Sequence, residues 1–324
     1  MRNLLVTGGL GFIGSNFIHY FSNKYPEIQI ICLDKNSYCS NLKNVEGITN
    51  LEIVIGDIRN NQLITYILTR YNIDSVIHFA AESHVDNSFM NSVSFTENNV
   101  LGTHILLECC YQYGRIEKFI HVSTDEVYGE VPFTEETRNE DSPIKPTNPY
   151  AASKAAAEYI VQSYKQSYKM PIIITRGNNV YGIRQYPEKV IPRFITQLLN
   201  GEKCTIQNPN CVRNFIYIDD VVRGFELVLM EGVVGEIYNI GTNGIQEYTV
   251  LELAQMLIRK ICQTSNYDEH IVYIEDRKFN DCRYSISSNS LEQLGWELTK
   301  TNFEENLDEM IEWYREKNNQ KYWG

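Results

Sequence analysis

"VTGGLGFIGSN", residues 6–16, decides the fold. "NLLVTGG" (3–9) reads as a short strand entering a glycine turn, and "FIGSNFIHYFSNKY" after it has helical periodicity. Gly8, Gly9, Gly11 and Gly14 satisfy G-x-x-G-x-x-G counted from Gly8 and G-x-G-x-x-G counted from Gly9. Between a strand and a helix, this spacing carries a mechanism. The glycines permit a tight turn and let the main chain approach a pyrophosphate, which the free N–H groups of a helix N-terminus attract. Gly8, Gly11, Phe12, Ile13 and Gly14 are therefore candidate cofactor contacts. The next strand, "IQIICLD", ends at Asp34, 20 residues after Gly14. A carboxylate there accepts hydrogen bonds from a ribose diol and repels a 2′-phosphate, which favours NAD over NADP. A glycine turn that only packs a helix on a sheet is the plainer alternative, and the position of Asp34 speaks against it.

Outward from this stretch the same alternation continues. "LEIVIGDI", "DSVIHFAA", "KFIHVST" and "MPIIITR" read as further strands, with helical patterns at 60–71, 93–113 and 149–168 between them. Alternating strand and helix implies an α/β fold with a parallel sheet covered on both faces. The near-continuous apolar strands agree, since both their faces would be buried. After Arg176 the pattern loosens into "YPEKVIPRFITQLLNG", "VRNFIYIDDVVRGFELVLME", "GEIYNIGT", "TVLELAQMLIRKI" and an amphipathic "NFEENLDEMIEWYREKNNQ". The expected organisation is a dinucleotide-binding domain over 1–176, with 214–240 returning to it. A smaller, discontinuous domain from 177–213 and 241–324 would cover a cleft.

The formal net charge of −12 over 324 residues removes the electrostatic basis for binding nucleic acid or an anionic membrane. No apolar run is long enough to span a membrane, and "MRNLLVTGG" does not read as a signal peptide. The eight cysteines form no C-x-x-C pair and the six histidines are dispersed. Reduced thiols in a cytoplasmic protein without a metal are the expectation.

"NPYAASKAAAEYIVQSY" places Tyr150 and Lys154 one turn apart, on one helix face. A nearby ammonium favours the phenolate and tunes a tyrosine towards use as a base. "HVSTDEVYG" (121–129) sets Thr124, Asp125 and Glu126 at the end of a strand expected to be buried. Burial and mutual repulsion raise the pKa of at least one carboxyl of such a pair. Two carboxyl groups in opposite protonation states can serve as an acid and a base.

From the TGGLGFIG loop through the Y-x-x-x-K pair, the chain resembles the extended short-chain dehydrogenases/reductases. This resemblance implies a Rossmann-like, doubly wound sheet, with Tyr150 as acid/base, Lys154 as its tuning partner and nicotinamide-ribose contact, and Thr124 bound to the reacting hydroxyl. "STDEVYG" further resembles the nucleoside-diphosphate-glucose 4,6-dehydratases, which implies Asp125 as the acid and Glu126 as the base of a water elimination. By the same resemblance Lys35, Asp57, Ile58, Ala80, Ala81 and Asn99 join the cofactor contacts. Ser83, Asn179, Glu188, Lys189, Arg213 and Arg283 join Thr124 at the substrate, the two arginines at its diphosphate. "NSYCSNLKNVEG", "TRGNNVYG" and "FNDCRY" look like the dehydratase half of UDP-rhamnose synthases, whereas "RQYPEKVIPRFI" and "GEIYNIGTN" look like dTDP-glucose dehydratases. UDP-glucose is the expected substrate and dTDP-glucose the alternative; a 4-epimerase or a non-catalytic NAD-binding protein are the remaining rivals. The resemblance also implies a homodimer joined by the helices at 93–113 and 149–168 in a four-helix bundle.

Overall fold

The computed structural model of the chain describes residues 1–277, 279–319, 322 and 323. In chain order the first half comprises β1 (Asn3–Thr7), α1 (Phe12–Lys24), β2 (Gln29–Asp34), β3 (Leu51–Ile55), α2 (Asn61–Arg70) and β4 (Ser75–His78). Then come α3 (Val85–Met90), α4 (Ser92–Phe95), α5 (Gly102–Tyr113), β5 (Lys118–Thr124), α6 (Pro149–Tyr168) and β6 (Ile172–Gly177). The second half adds β7 (Asn179–Tyr181), α7 (Val190–Leu199), β8 (Cys204–Ile206), β9 (Val212–Tyr217), α8 (Ile218–Glu231) and β10 (Ile237–Ile240). It ends with β11 (Glu247–Thr249), α9 (Val250–Cys262), β12 (Ile271–Tyr273), α10 (Asn289–Glu292) and α11 (Phe303–Asn319).

Seven strands form one sheet in the order β10-β6-β5-β4-β1-β2-β3, and every pairing in it is parallel. This is a Rossmann-like, doubly wound sheet. The strand order reverses between β1 and β4, which opens a crevice at their carboxyl ends. Leu4, Leu5 and Val6 of β1 and Ile30 to Leu33 of β2 are buried on both sides, which explains why these strands read as continuous apolar runs. One core packs α2, α5 and α6 on one face. The other begins under α1 and α8 and continues without a break into the second lobe, through Phe194, Leu253, Leu257, Phe303 and Leu307.

The second lobe holds a three-stranded sheet, β11-β9-β7, and the β12-β8 pair. β9 lies wholly in that small sheet. The return to the large sheet therefore starts at α8, at residue 218, rather than at residue 214 as the sequence reading has it. The expected helix over 93–113 also differs. Its Thr96–Leu101 segment winds as wider π-type turns between α4 and α5. Such turns commonly mark functional sites, and this one carries the buried Asn98 and Asn99.

The start of α6 is set locally. Asn148 caps it by accepting from the Ala151 N–H at 2.9 Å, and Pro149 occupies the first turn, where its missing N–H costs nothing. Further along α6, Glu158 pairs with Arg176 of β6 at 2.7 Å, with side chains 0% and 2% exposed. Arg176 also donates to the Tyr128 hydroxyl at 2.7 Å and stacks on its ring. Removing one partner of a buried pair strands the other charge. Glu158→Gln is expected to lower stability by about 3–5 kcal/mol in urea unfolding, and Glu158→Gln combined with Arg176→Met by clearly less. Equal losses in the two proteins would show that the pair does not act as a unit.

Candidate active site

The glycine turn is shaped by contacts that admit no side chain. Gly8 has φ +73°, and a Cβ on it would lie 2.6 Å from the Ala80 backbone nitrogen. A Cβ on Gly14 would lie 2.4 Å from the Gly8 carbonyl oxygen. β1, α1 and the chain leaving β4 therefore meet backbone to backbone. The N-terminus of α1 has no side-chain cap, so its amides keep the anion-attracting character of an open helix end. Asp34 is 6% exposed. It accepts from the N–H groups of Leu10 (3.0 Å) and Asn36 (2.8 Å) and from the Ser40 hydroxyl (3.1 Å). Three donors fix a carboxylate that offers about four acceptor positions, which leaves capacity for a ribose hydroxyl.

One cavity runs from this turn to the ends of β5 and β6. Gly8, Gly11, Phe12, Ile13, Gly14, Asp34, Lys35, Asp57, Ile58, Ala80 and Ala81 line its first part. Ser83, Thr124, Asp125, Glu126, Tyr150, Lys154, Asn179, Glu188 and Lys189 line its second. Lys35 pairs with Glu82 at 2.5 Å. Asp57 pairs with Arg59 at 2.8 Å, and that hydrogen bond holds its carboxyl below the usual range. Asn99 does not line the cavity. Its side chain accepts from the Glu82 N–H (2.8 Å) and donates to the Glu82 carbonyl (2.9 Å) and the Ser153 hydroxyl (2.9 Å). Its work is to tie the loop after β4 to α6.

Asp125 is 2% exposed. Its Oδ2 accepts from Asn178 Nδ2 at 2.7 Å and its Oδ1 from the Thr124 hydroxyl at 3.2 Å. Burial first, and then the Glu126 charge, push its carboxyl up to about 7. Glu126 accepts from Asn148 Nδ2 at 3.0 Å, and burial raises its carboxyl as well. Burial lowers the Lys154 ammonium to about 8, and Lys154 donates to the Val122 carbonyl at 2.7 Å. Tyr150 stands above its ordinary value because it is buried and faces Glu126; its hydrogen bond to Thr124 works the other way. The sequence reading has Lys154 lowering Tyr150. In the structure Lys154 spends one of its three donors on the Val122 carbonyl.

A second cavity adjoins the first and shares Glu126, Asn179, Glu188, Lys189 and Val190 with it. Arg193, Arg213 and Arg277 line it. Arg213 stacks on Tyr284 and donates to Asn280 Oδ1 at 2.9 Å. Arg277 faces Asp86 at 3.0 Å. Asn179 Nδ2 is buried and has no partner among the described residues, so a donor stands ready where the two cavities join. Arg283 lines neither cavity. Its guanidinium pairs with Glu247 at 2.9 Å, while Asn280 and Asp281 line the second cavity. The convergence expected of Arg213 and Arg283 is made instead by Arg213 with Arg193 and Arg277.

Four functional partners escape a reading of the sequence. Asn178 sits beside Asn179 in "RGNNVYG", and nothing local says which one meets Asp125. Asn148 reads as a helix cap and serves Glu126 as well. Arg193 lies one turn beyond Lys189 on α7, a spacing that could have singled it out. Arg277 lies in an irregular segment without a pattern.

This fold and its switch-point glycine turn define a dinucleotide-binding class of the short-chain dehydrogenase type. The chain belongs to the GDP-mannose 4,6 dehydratase family, whose model matches residues 5–310. It is 46% identical over 328 residues to the trifunctional UDP-glucose 4,6-dehydratase/3,5-epimerase/reductase RHM3 of Arabidopsis thaliana, covering all of this chain and 48% of that protein. It is 48% identical over 322 residues to the dTDP-D-glucose 4,6-dehydratase of Bos taurus, covering 97% of this chain and 89% of that one. The chain thus spans about half the length of the trifunctional plant relatives that it matches. Among solved structures, the dTDP-glucose 4,6-dehydratase DesIV of Streptomyces venezuelae, with NAD bound, superposes with a TM-score of 0.91 at 38% identity, covering 98% of each chain.

The raised Asp125 carboxyl has a thermodynamic consequence. A native pKa near 7 against about 3.9 unfolded means that the native state binds the extra proton between those values, so stability falls as pH rises through that window. Asp125→Asn is expected to remove this loss and to exceed wild type by roughly 2–4 kcal/mol at pH 8, and by much less at pH 4. Chemical denaturation at the two pH values checks it; an unchanged gap between the proteins refutes it.

Proposed function

We propose that this chain is an NAD-dependent 4,6-dehydratase of a nucleotide sugar and that UDP-glucose is its substrate. The observation that carries the reading is the buried Asp125–Glu126 pair, set in one cavity with Tyr150 and Lys154. NAD, when bound, accepts the hydride from C4 of the sugar and returns it at C6. The glycine cradle, the uncapped α1 and the three-donor seat of Asp34 fit that cofactor.

As the phenolate, which the Lys154 ammonium and the positive nicotinamide of a bound NAD would favour, Tyr150 Oη takes the C4 hydroxyl proton, with Thr124 beside it. A ketone at C4 makes the C5 proton acidic, and Glu126 removes it. Asp125, neutral at pH below about 7, protonates the departing C6 hydroxyl, so that one carboxyl serves as acid and its neighbour as base. Glu126 then returns its proton to C5. Asn99 holds the loop bearing Ser83 against α6, and Lys189, Arg193, Arg213 and Arg277 supply the positive field for the diphosphate. The product is UDP-4-keto-6-deoxy-glucose, with no net redox change, which suits the first step of UDP-rhamnose synthesis. Asp125 argues against a 4-epimerase, for which a second carboxyl has no task. The presence of all five of Thr124, Asp125, Glu126, Tyr150 and Lys154 argues against a non-catalytic NAD-binding protein.

dTDP-glucose is the second reading, favoured by the 48% identity to the bovine relative against 46% to the plant one. Incubation with UDP-glucose and dTDP-glucose in separate reactions, followed by mass spectrometry, tests both. Loss of one water is the expected result, faster from UDP-glucose. A sugar of unchanged mass with an altered ring-proton spectrum would replace this reading by epimerisation.

The eight free thiols suit a reducing compartment, and cytoplasm is the compartment proposed. A homodimer through the helical stretch at 92–113 and α6 is proposed on the apolar side chains exposed there. Val93 is 66%, Leu101 48% and Tyr159 59% exposed, beside Met90 at 87%. Sedimentation at micromolar concentration is expected to give a dimer, and Leu101→Glu with Tyr159→Glu a monomer; a monomeric wild type would refute it.

A further inference from the structure

Three segments from separate parts of the chain meet at the Tyr38 hydroxyl. Tyr38 follows β2. Its Oη donates to Glu188 Oε2, just before α7, at 2.7 Å and accepts from Asn87 Nδ2 of α3 at 3.2 Å. Ser37 and Cys39, on either side of Tyr38 in the chain, line the first cavity, and so do Tyr186, Glu188 and Lys189 of the second lobe. Tyr38 itself is 50% exposed and is not part of that lining. The Tyr38–Glu188 bond therefore crosses the outer wall of the cavity and joins the dinucleotide-binding half to the second lobe. Lys189 adds a parallel tie by donating to the Ser83 carbonyl at 2.6 Å.

The crossing is braced from both sides. The Tyr38 ring packs edge-on against Tyr186, with centroids 5.4 Å apart, and Tyr186 packs against Trp323 at 5.2 Å. Trp323 packs in turn on Tyr322 at 5.0 Å. The Tyr322 hydroxyl donates to Asn44 Oδ1 at 2.6 Å, and its carbonyl accepts from Asn41 Nδ2 at 2.7 Å. Asn44 Nδ2 and the Asn41 N–H both donate to the Leu10 carbonyl, at 2.8 and 3.1 Å. The segment from Tyr38 to Asn44 is thus fastened to the glycine turn at one end and to the approach to α7 at the other. A half-exposed hydrogen bond standing alone contributes little, because two side chains lose freedom to form it. Here the ring stack and the two asparagines have already ordered the tyrosine's surroundings, so less freedom is lost.

Resting on the dehydratase reading for its purpose, we infer that the Tyr38–Glu188 bond is a strap that keeps NAD in its cavity from one turnover to the next, with Tyr38 as the positioning residue. In the proposed reaction the hydride taken from C4 goes back to C6 of the same sugar. Cofactor lost between the two transfers would carry the hydride away and leave the sugar oxidised at C4. A dehydrogenase must release its reduced cofactor in every cycle; a reaction without net redox change is served by one that stays, and the protein's part is to exclude its escape. The strap lies where that need is. It crosses the wall of the cavity that fits NAD, and Tyr38 takes no part in lining the second cavity, where the arginines gather. Glu188, a substrate contact by resemblance, has one carboxylate oxygen engaged in the strap.

The test follows radiolabelled NAD leaving the holoenzyme into an excess of unlabelled NAD, by rapid gel filtration and with no sugar present. Tyr38→Phe keeps the ring on Tyr186 and removes the hydroxyl. It is expected to speed the exchange on the order of tenfold, as the loss of a hydrogen bond to a charged acceptor would. Asn87→Ala leaves the Tyr38–Glu188 bond in place and is expected to speed it by about threefold. With UDP-glucose or dTDP-glucose added, Tyr38→Phe is also expected to shed more NADH into solution than wild type, read through its oxidation by pyruvate and lactate dehydrogenase. The urea midpoints of the NAD-free wild type and Tyr38→Phe are expected to agree. Exchange from Tyr38→Phe at the wild-type rate would overturn the strap, and so would faster exchange matched by a lowered midpoint, which would mean general loosening. Because the exchange needs no sugar, the dehydratase reading fails separately, on a sugar product that has lost no water.

Discussion

The buried ion pair between Glu158 and Arg176 is the interaction on which the site's geometry depends. Tyr150, Lys154 and Glu158 follow one another at four-residue intervals on α6, so they lie along one stripe of the helix. The last of the three is locked to β6. Lys154 is pinned to the Val122 carbonyl of β5, and Tyr150 is thereby held over the end of that strand. A buried pair is poor evidence of net stabilisation, because desolvation offsets much of its attraction. Its value here is geometric: it fixes the rotation of a twenty-residue helix about its own axis.

The cavity differs in polarity along its length in a way that follows from the fold. At the crevice between β1 and β4 the contacts are main chain, since only glycine can bring three backbone segments so close. At the ends of β5 and β6 the contacts are side-chain carboxyls and amides, each tied to a neighbour. Beyond them, arginines from α7, β9 and the segment after β12 enclose the second cavity. Amides recognise phosphate cheaply at an open helix end, while the proton-handling groups need burial to shift their ionisation. The doubly wound sheet carries both sets of groups, and the second lobe adds the arginines of the second cavity.

Much of this could be read in the sequence. The glycine turn, Asp34, the acid pair and the Tyr150–Lys154 spacing each follow a local rule that links residue type to geometry, and the cavity gathers all of them. What could not be read arises between distant segments. Asn178 meets Asp125 across 53 positions, and its identity as the partner, rather than Asn179, depends on the alternation of side chains between two adjoining strands. The resemblance puts Arg283 at the diphosphate, and in the structure it pairs with Glu247 of β11. The π-type turns at Thr96–Leu101 interrupt a stretch whose periodicity looks uniformly helical.

The pairing of β10 with β6 has a consequence for how the protein can be made. The large sheet is not finished until residue 240 has joined it, although the strand beside which it lies ends at residue 177. In between, the chain leaves to build β7, β8 and β9 and comes back. During synthesis the flank of β6 therefore stays an open edge, with unpaired backbone groups, for some sixty residues. A nascent chain in that interval is sticky, and a fragment cut near residue 176 would keep the same exposed edge. The two lobes share one hydrophobic core, so they are made to fold together rather than in turn.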